Sequence, residues 1–259
     1  MVTFATPSPT RSLSGLVLGG AVILAMTCSS AVRADDARVA WNDCAGGTGM
    51  SSVSFACNTN AGQHTIVGSF KLDQPFESTG IWGYNASIYF GSHLFVGGST
   101  LPDWWRVGVD DCRAGAITAS IDFSTLPPSA CEDPHYSSIG TAPFEIHSGV
   151  DHVHGDYTYG RLRIQAASQD PLLLEAGQEY LAFRLVVQHT KTQGADGCSG
   201  CCERLYVMVE EFDLQGLPSE NDRHFQLNYS AIDWQGSGVG CGPTRAQPRS
   251  WGQIRSLYR

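Results

Sequence analysis

Residues 179–189 read EYLAFRLVVQH, and this stretch decides the fold. Leu181, Phe183, Leu185 and Val187 recur at every second position, which puts them on one face of an extended strand rather than along one stripe of a helix. A second strand follows at 205–214, LYVMVEEFDL, and the knuckle Cys198-Ser199-Gly200-Cys201-Cys202 caps the loop between the two. Adjacency in the chain predicts that they pair antiparallel. Moving towards the N-terminus, 161–166 alternates Arg161, Arg163 and Gln165 against Leu162, Ile164 and Ala166, a half-buried strand with a basic outer face. In 116–123, Ile117, Ala119, Ile121 and Phe123 share a side. Further strands are predicted at 65–72 (TIVGSFKL, ended by Gln74-Pro75), at 86–91 (ASIYFG) and at Leu94-Phe95-Val96. Glycine is frequent, proline is scattered, and helical periodicity is nearly absent. Short alternating strands between turn signals predict an all-β chain folded as an antiparallel β-sandwich, immunoglobulin-like or jelly-roll-like.

The N-terminus has the three-part layout of an export signal: Arg11, the apolar run LVLGGAVILAM at 16–26, and Val32-Arg33-Ala34 before Asp35. The apolar run is roughly half of the ~20 residues a membrane-spanning helix needs. Cleavage after Ala34 is the expectation; an uncleaved anchor and a lipoprotein acylated at Cys28 are the alternatives. Residues 35–259 then form the exported chain, without internal repeats or a linker, and are read as one domain with no transmembrane segment. Its size allows a sizeable core.

The whole chain carries a formal charge of −9, which becomes −11 without Arg11 and Arg33. Lys71 and Lys191 are its two lysines, and no basic run occurs. Nucleic acid, which demands clustered cations, is excluded as a partner.

Eight cysteines remain beyond position 34: Cys44, Cys57, Cys112, Cys131, Cys198, Cys201, Cys202 and Cys241. An even set in an exported chain predicts disulfides. Proximity suggests Cys44–Cys57 and Cys112–Cys131, with Cys198, Cys201, Cys202 and Cys241 as a third group. The C-x2-C spacing of Cys198 and Cys201 also suits a metal knuckle or a redox pair, although no second such pair completes a four-ligand site.

Two constellations stand out as candidate sites. Asp151-His152-Val153-His154-Gly155-Asp156-Tyr157 begins like the metallo-β-lactamase zinc signature, but Tyr157 stands where that signature wants a histidine. His147, His152 and His154 could instead hold zinc or copper in a site of different design; the plain alternative is a polar, histidine-rich surface loop. In Leu101-Pro102-Asp103-Trp104-Trp105-Arg106, adjacent tryptophans on a strand would face opposite ways. One of Trp104 and Trp105 would then be free to stack on a sugar ring, and the alternative is that both are core. Nucleophile elbow, phosphate loop, dinucleotide fingerprint and H-E-x-x-H are all absent. Glu210-Glu211 and Asp110-Asp111 are adjacent acids that a strand would turn to opposite faces.

Several segments together resemble an uncharacterised family of secreted, disulfide-containing proteins from uncultured environmental bacteria. They are Phe55-Ala56-Cys57, Leu101-Pro102-Asp103-Trp104-Trp105 with Cys112-Arg113, Gly177-x-Glu179-Tyr180, Cys198-x-Gly200-Cys201, Trp234-Gln235-Gly236 and WGQIRSLYR at 251–259. The resemblance implies bacterial export and a single module, and it carries over no catalytic residue. This chain departs from the pattern at Cys202. The function expected is a secreted binding or structural module for a polysaccharide or cell-surface component, with no cofactor and more in keeping with binding than with catalysis. The alternatives are an extracellular metal-binding protein or hydrolase with a divalent metal at the histidines, and a self-associating subunit of a filament or surface layer.

Overall fold

The structure, a computed structural model, describes residues 36–75, 80–92, 99–127, 130–151, 155–217, 219, 222–225 and 231–236, all within one unit spanning 33–259. The export segment, Leu94-Phe95-Val96, His152, His154, Cys241 and 251–259 lie outside the described residues. Among the described residues no helix is long and apolar enough to cross a membrane.

Two sheets face each other. The first has four antiparallel strands, ordered β1 (Asp36–Trp41), β3 (Gln63–Lys71), β9 (Glu179–Gln188) and β5 (Ile117–Ser120). The second, of eight strands, runs β2 (Ser52–Val53), β12 (Ile232–Trp234), β10 (Leu205–Gly216), β4 (Ile81–Gly91), β8 (Gly155–Leu172) and β6 (Ser138–Thr141). To it β11 (Arg223–His224) adds along β10, and β7 (Glu145–Asp151) along the first part of β8. The ladder between β2 and β12 is parallel. The fold is therefore the expected all-β, disulfide-stapled sandwich. Its core lies between the sheets, where Val39, Ile66, Phe70, Phe183, Leu185 and Val187 of one meet Ile88, Phe90, Ile164, Val207, Phe212 and Leu214 of the other.

Strand existence follows the alternation closely, but pairing does not. β9 and β10, expected to be neighbours, lie in different sheets. The 189–204 connection between them is long enough to change sheets, and both Cys198 and Cys201 within it are tied to earlier segments. A tight hairpin would need a connection of a few residues.

The face assignment of β9 also needs one correction. Between Gly68 and Ser69 of β3 the register jumps from Phe183 to Leu181, so Ala182 is an extra residue and the strand is bulged. Ala182 and Tyr180 thereby turn into the main core, while Leu181 turns out to join Val67, Phe123, Cys44 and Cys131 in a second cluster behind the four-stranded sheet. The alternating run at 116–123 likewise ends as a strand at Ser120. Ile121 and Phe123 pack over the back of β3 and β9 instead.

The disulfides are long-range. Cys44 bonds Cys131, Cys57 bonds Cys201, and Cys112 bonds Cys198. The proximity pairs Cys44–Cys57 and Cys112–Cys131 are thus incorrect: the fold brings together segments 86 to 144 residues apart in the chain. Cys202, beside the buried Cys201, is exposed and also disulfide-bonded. Cys44–Cys131 staples the 121–133 segment across the back of β3 and β9. Replacing both cysteines by alanine should lower unfolding stability by about 2–5 kcal/mol in denaturant titrations. Peptide mapping without reductant should recover the three pairs above, and a Cys44–Cys57 peptide would contradict this map.

Candidate functional site

Pro102 and Asp103 open a single 3-10 turn, Asp103–Trp105, rather than a strand. Successive side chains of such a turn are about 120° apart rather than opposed, so both tryptophans can point inward. Trp104 and Trp105 are both 0 % exposed. Trp104 stacks on Trp234 (ring centroids 4.9 Å apart), Trp105 meets Trp234 edge-on (5.4 Å), and Trp41 completes the cluster at 5.8 Å from Trp234. Neither Trp104 nor Trp105 offers a face to a sugar.

Over Trp104 lies the guanidinium of Arg113, 3.4 Å from the ring centroid and buried. Its N–H groups donate to the carbonyls of Trp104 (2.6 Å), Thr190 (2.9 Å) and Gln188. Burial lowers its pKa to about 9, so it remains a cation at neutral pH, satisfied by carbonyl dipoles and a π face. The Leu-Pro-Asp-Trp-Trp and Cys-Arg motifs are thus one structural device. The Cys112–Cys198 disulfide sits next to it.

Gln235 holds the neighbouring chain. Its side-chain amide donates to the carbonyls of Phe55 and Cys201, and its oxygen accepts from the Phe55 N–H. Under Phe55 lie two histidines, His64 and His189, which share a 2.7 Å contact.

The chain flanking His152 and His154 forms a hairpin: β7 and β8 pair from Glu145↔Arg161 to Asp151↔Gly155. His147 lies on β7, bonded to Glu145 (3.1 Å) and stacked with Tyr159 (5.3 Å). His152 and His154 fall outside the described residues. Cys198 and Cys201, the C-x2-C pair, belong to separate disulfides, so neither sulfur is free for a metal. The triplet with metal-like spacing, Cys44, Cys131 and Glu179, contains two sulfurs bonded to each other.

The outer face of the eight-stranded sheet brings together what the sequence kept apart. Register places Glu211, Ser87 and Arg163 in one row across β10, β4 and β8, and Asp213, Asn85 and Gln165 in the next. These six line an open groove of about 230 Å³. A bulge between Val209 and Glu211 makes this possible. The extra residue lets Glu210 and Glu211 share the outer face, where simple alternation would have opposed them. Glu210 takes both arms of Arg161 (2.7 Å each) and accepts from the Ser87 hydroxyl (3.2 Å). This hydrogen-bonded pairing raises the Arg161 pKa. Asp213 holds His224 (2.6 Å) and raises that imidazole's pKa.

Above the groove runs an aromatic band. Tyr159 stacks with Tyr89 (5.0 Å) and Tyr157 (5.9 Å), with His147 at its side. Glycine makes room for it. A Cβ on Gly91 would lie 2.2 Å from the Tyr89 hydroxyl, and one on Gly149 would lie 2.2 Å from the Tyr157 ring, so both rings rest flat on the sheet. Burial raises the Tyr159 pKa, and its phenol stays protonated as a donor at neutral pH.

No family model, no curated protein and no solved structure matches the chain.

Of the residues singled out from sequence, Trp104 and Trp105 belong to the core and His147 borders the aromatic band. Asn85, Ser87, Arg163, Gln165 and Asp213 escaped notice as a site because they share nothing but a sheet face, and that requires register. In denaturant titrations Trp104→Ala should lose about 3–5 kcal/mol as a core truncation. Arg113→Lys should lose about 1.5–3 kcal/mol, because an ammonium cannot reproduce the planar fork.

Proposed function

We propose that this protein is an exported binding module that takes a glycan along the outer face of its eight-stranded sheet. The observation that carries the reading is the groove: two amides, two carboxylates, a guanidinium and a hydroxyl on adjoining strands, beside a band of tyrosines. Amides offer donors and acceptors together, and carboxylates and guanidinium bind neighbouring hydroxyls through charge-assisted bonds. Such a lining suits a polyhydroxylated chain. The half-buried rings of Tyr157 and Tyr159 suit the C–H faces of a pyranose and supply an apolar floor, with the buried Tyr89 packed against Tyr159. Glu211 and Arg163 are exposed and form no ion pair among the described residues, which leaves both able to bind.

Export is supported by the signal-like N-terminus and by the oxidised state of the seven described cysteines. Disulfides persist outside the reducing cytosol, and an open groove without an enclosed cleft favours retention of a polymer over its cleavage.

The test is a glycan array and polysaccharide pull-down on oxidised 35–259, with Arg163→Ala, Glu211→Ala and Tyr157→Ala. Each of the first two should weaken binding about tenfold or more through loss of a charge-assisted bond. Melting temperatures should hardly move, since both side chains are exposed. Trp104→Phe, a core control, should bind normally. Absence of any glycan bound by the wild type, or binding unchanged in all three surface variants, would overturn this reading.

A further inference from the structure

The pair His64–His189 lies at the other side of the molecule's chemistry, beneath the 55–62 segment and away from the groove's lining. Its tautomers follow from its partners. His189 Nδ1 is 3.0 Å from the Ala61 carbonyl, which can only accept, so Nδ1 carries the proton. His189 Nε2 is then bare and accepts from His64 Nδ1–H at 2.7 Å. Phe55 stacks on His189 with centroids 3.9 Å apart, and Trp234 meets His64 edge-on at 5.1 Å. The same imidazole pair thus ties β3 to the end of β9 and to the carbonyl of Ala61. His189 also donates its backbone N–H to the Gly62 carbonyl (3.0 Å).

We propose that the His64–His189 pair is an acid-operated latch: two neutral rings hold the 55–62 segment on the tryptophan cluster, and protonation of the pair releases it. A proton added to His189 Nε2 makes His64 either face it N–H to N–H or shift its own proton from Nδ1 to Nε2, and either way the charge sits on a buried ring beside Arg113. A proton added to His64 buries a cation against Trp41, Phe55 and Trp234. Compensation from the groups facing the pair is partial: the Ala61 carbonyl favours a charged His189, while burial and Arg113 oppose it. β1 and β12 present Trp41 and Trp234, the 55–57 stretch presents Phe55, the loop after β9 presents Thr192, and the 112–116 stretch presents the like-charged Arg113. No carboxylate among the described residues bears on either ring.

Burial first, and then His189, lower the His64 pKa from 6.5 to about 4; burial lowers that of His189 as well. The sign is fixed by linkage. The closed form binds fewer protons than an open form with ordinary imidazoles, so closure is full above pH 6.5 and weakens progressively towards pH 4. What is released is bounded: Cys57–Cys201 keeps the segment tethered, while the Asn60–Gln193, Asn58–Gln193, Gly62–His189 and Phe55–Gln235 bonds are among those that must part.

Hydrogen exchange on the oxidised chain reads the latch directly. The amides whose bonds join the segment to its surroundings, His189 (to the Gly62 carbonyl), Gln193 (to Asn60 Oδ1) and Phe55 (to Gln235 Oε1), corrected for the intrinsic pH dependence of exchange, should lose protection about tenfold or more between pH 7 and pH 4, while those of β4 and β8 do not. His64→Gln should reduce the change markedly, because only one of the two imidazoles is left to take up a proton. Protection of the His189 and Gln193 amides that persists at pH 4 in the wild type overturns the proposal, as does opening of His64→Gln as large as that of the wild type. Should that variant fail to fold, the wild-type His64 ring decides by NMR: a midpoint near 4 supports the latch, and one at 6.5 or above overturns it.

Discussion

Arg113 stretched over Trp104 is the contact on which one end of this sandwich depends. A guanidinium removed from water costs several kcal/mol unless its donors and its charge are met. Among the described residues no carboxylate meets them. Three backbone carbonyls and an indole face do so instead. Those carbonyls come from the 3-10 turn, from Gln188 at the end of β9 and from Thr190 two residues beyond it, so one side chain fixes two separate stretches in a single geometry. The tryptophans then have a defined surface to pack on, and Trp234 brings β12, and through it β2, into register with them. Loss of the guanidinium would leave the carbonyls without donors as well as the ring without its partner.

The disulfides act on the same segments. Cys112–Cys198 adjoins Arg113, and Cys57–Cys201 binds the 55–62 segment to the crossover between the sheets. Both close loops far longer than neighbouring cysteines would. In the chain-entropy view the gain grows only with the logarithm of loop length, so length alone is not their purpose. They join irregular connections, where few ladder bonds exist, to a core already supplied by alternating strands. Cys44–Cys131 does the equivalent on the back of the four-stranded sheet, where it seals the small cluster around Val67 and Leu181.

What the sequence made legible was periodicity. The runs at 65–72, 86–91, 161–166, 179–189 and 205–214 are strands because alternation of apolar residues reports a half-buried pleat. What it hid was everything that depends on register and on interruption of the period. The bulge at Ala182 turned Leu181 to the back of its sheet, and the bulge at Glu210 set two acids side by side. The Pro102-Asp103 turn buried two tryptophans that strand geometry would have divided. The cysteine pairs followed the tertiary path, which local spacing does not encode. The residues on either side of His152 and His154 pair as β7 and β8, because each finds its partner just across that short connection.

The groove shows why those interruptions matter. An unbulged β10 would alternate Glu210 and Glu211, sending one carboxylate into the core between Val209 and Phe212, where an unpaired charge is untenable. With one residue inserted, Val209 and Phe212 both remain inside and both acids reach the outer face. They then divide the work. Glu210 is bound to Arg161 and steadies the tyrosine band beside it, leaving Glu211 opposite Ser87 and Arg163 at the groove. A strand that kept perfect alternation would have had a better ladder and a poorer surface. The irregularity in β10 is therefore the step that converts a stable sheet face into one equipped to hold a ligand.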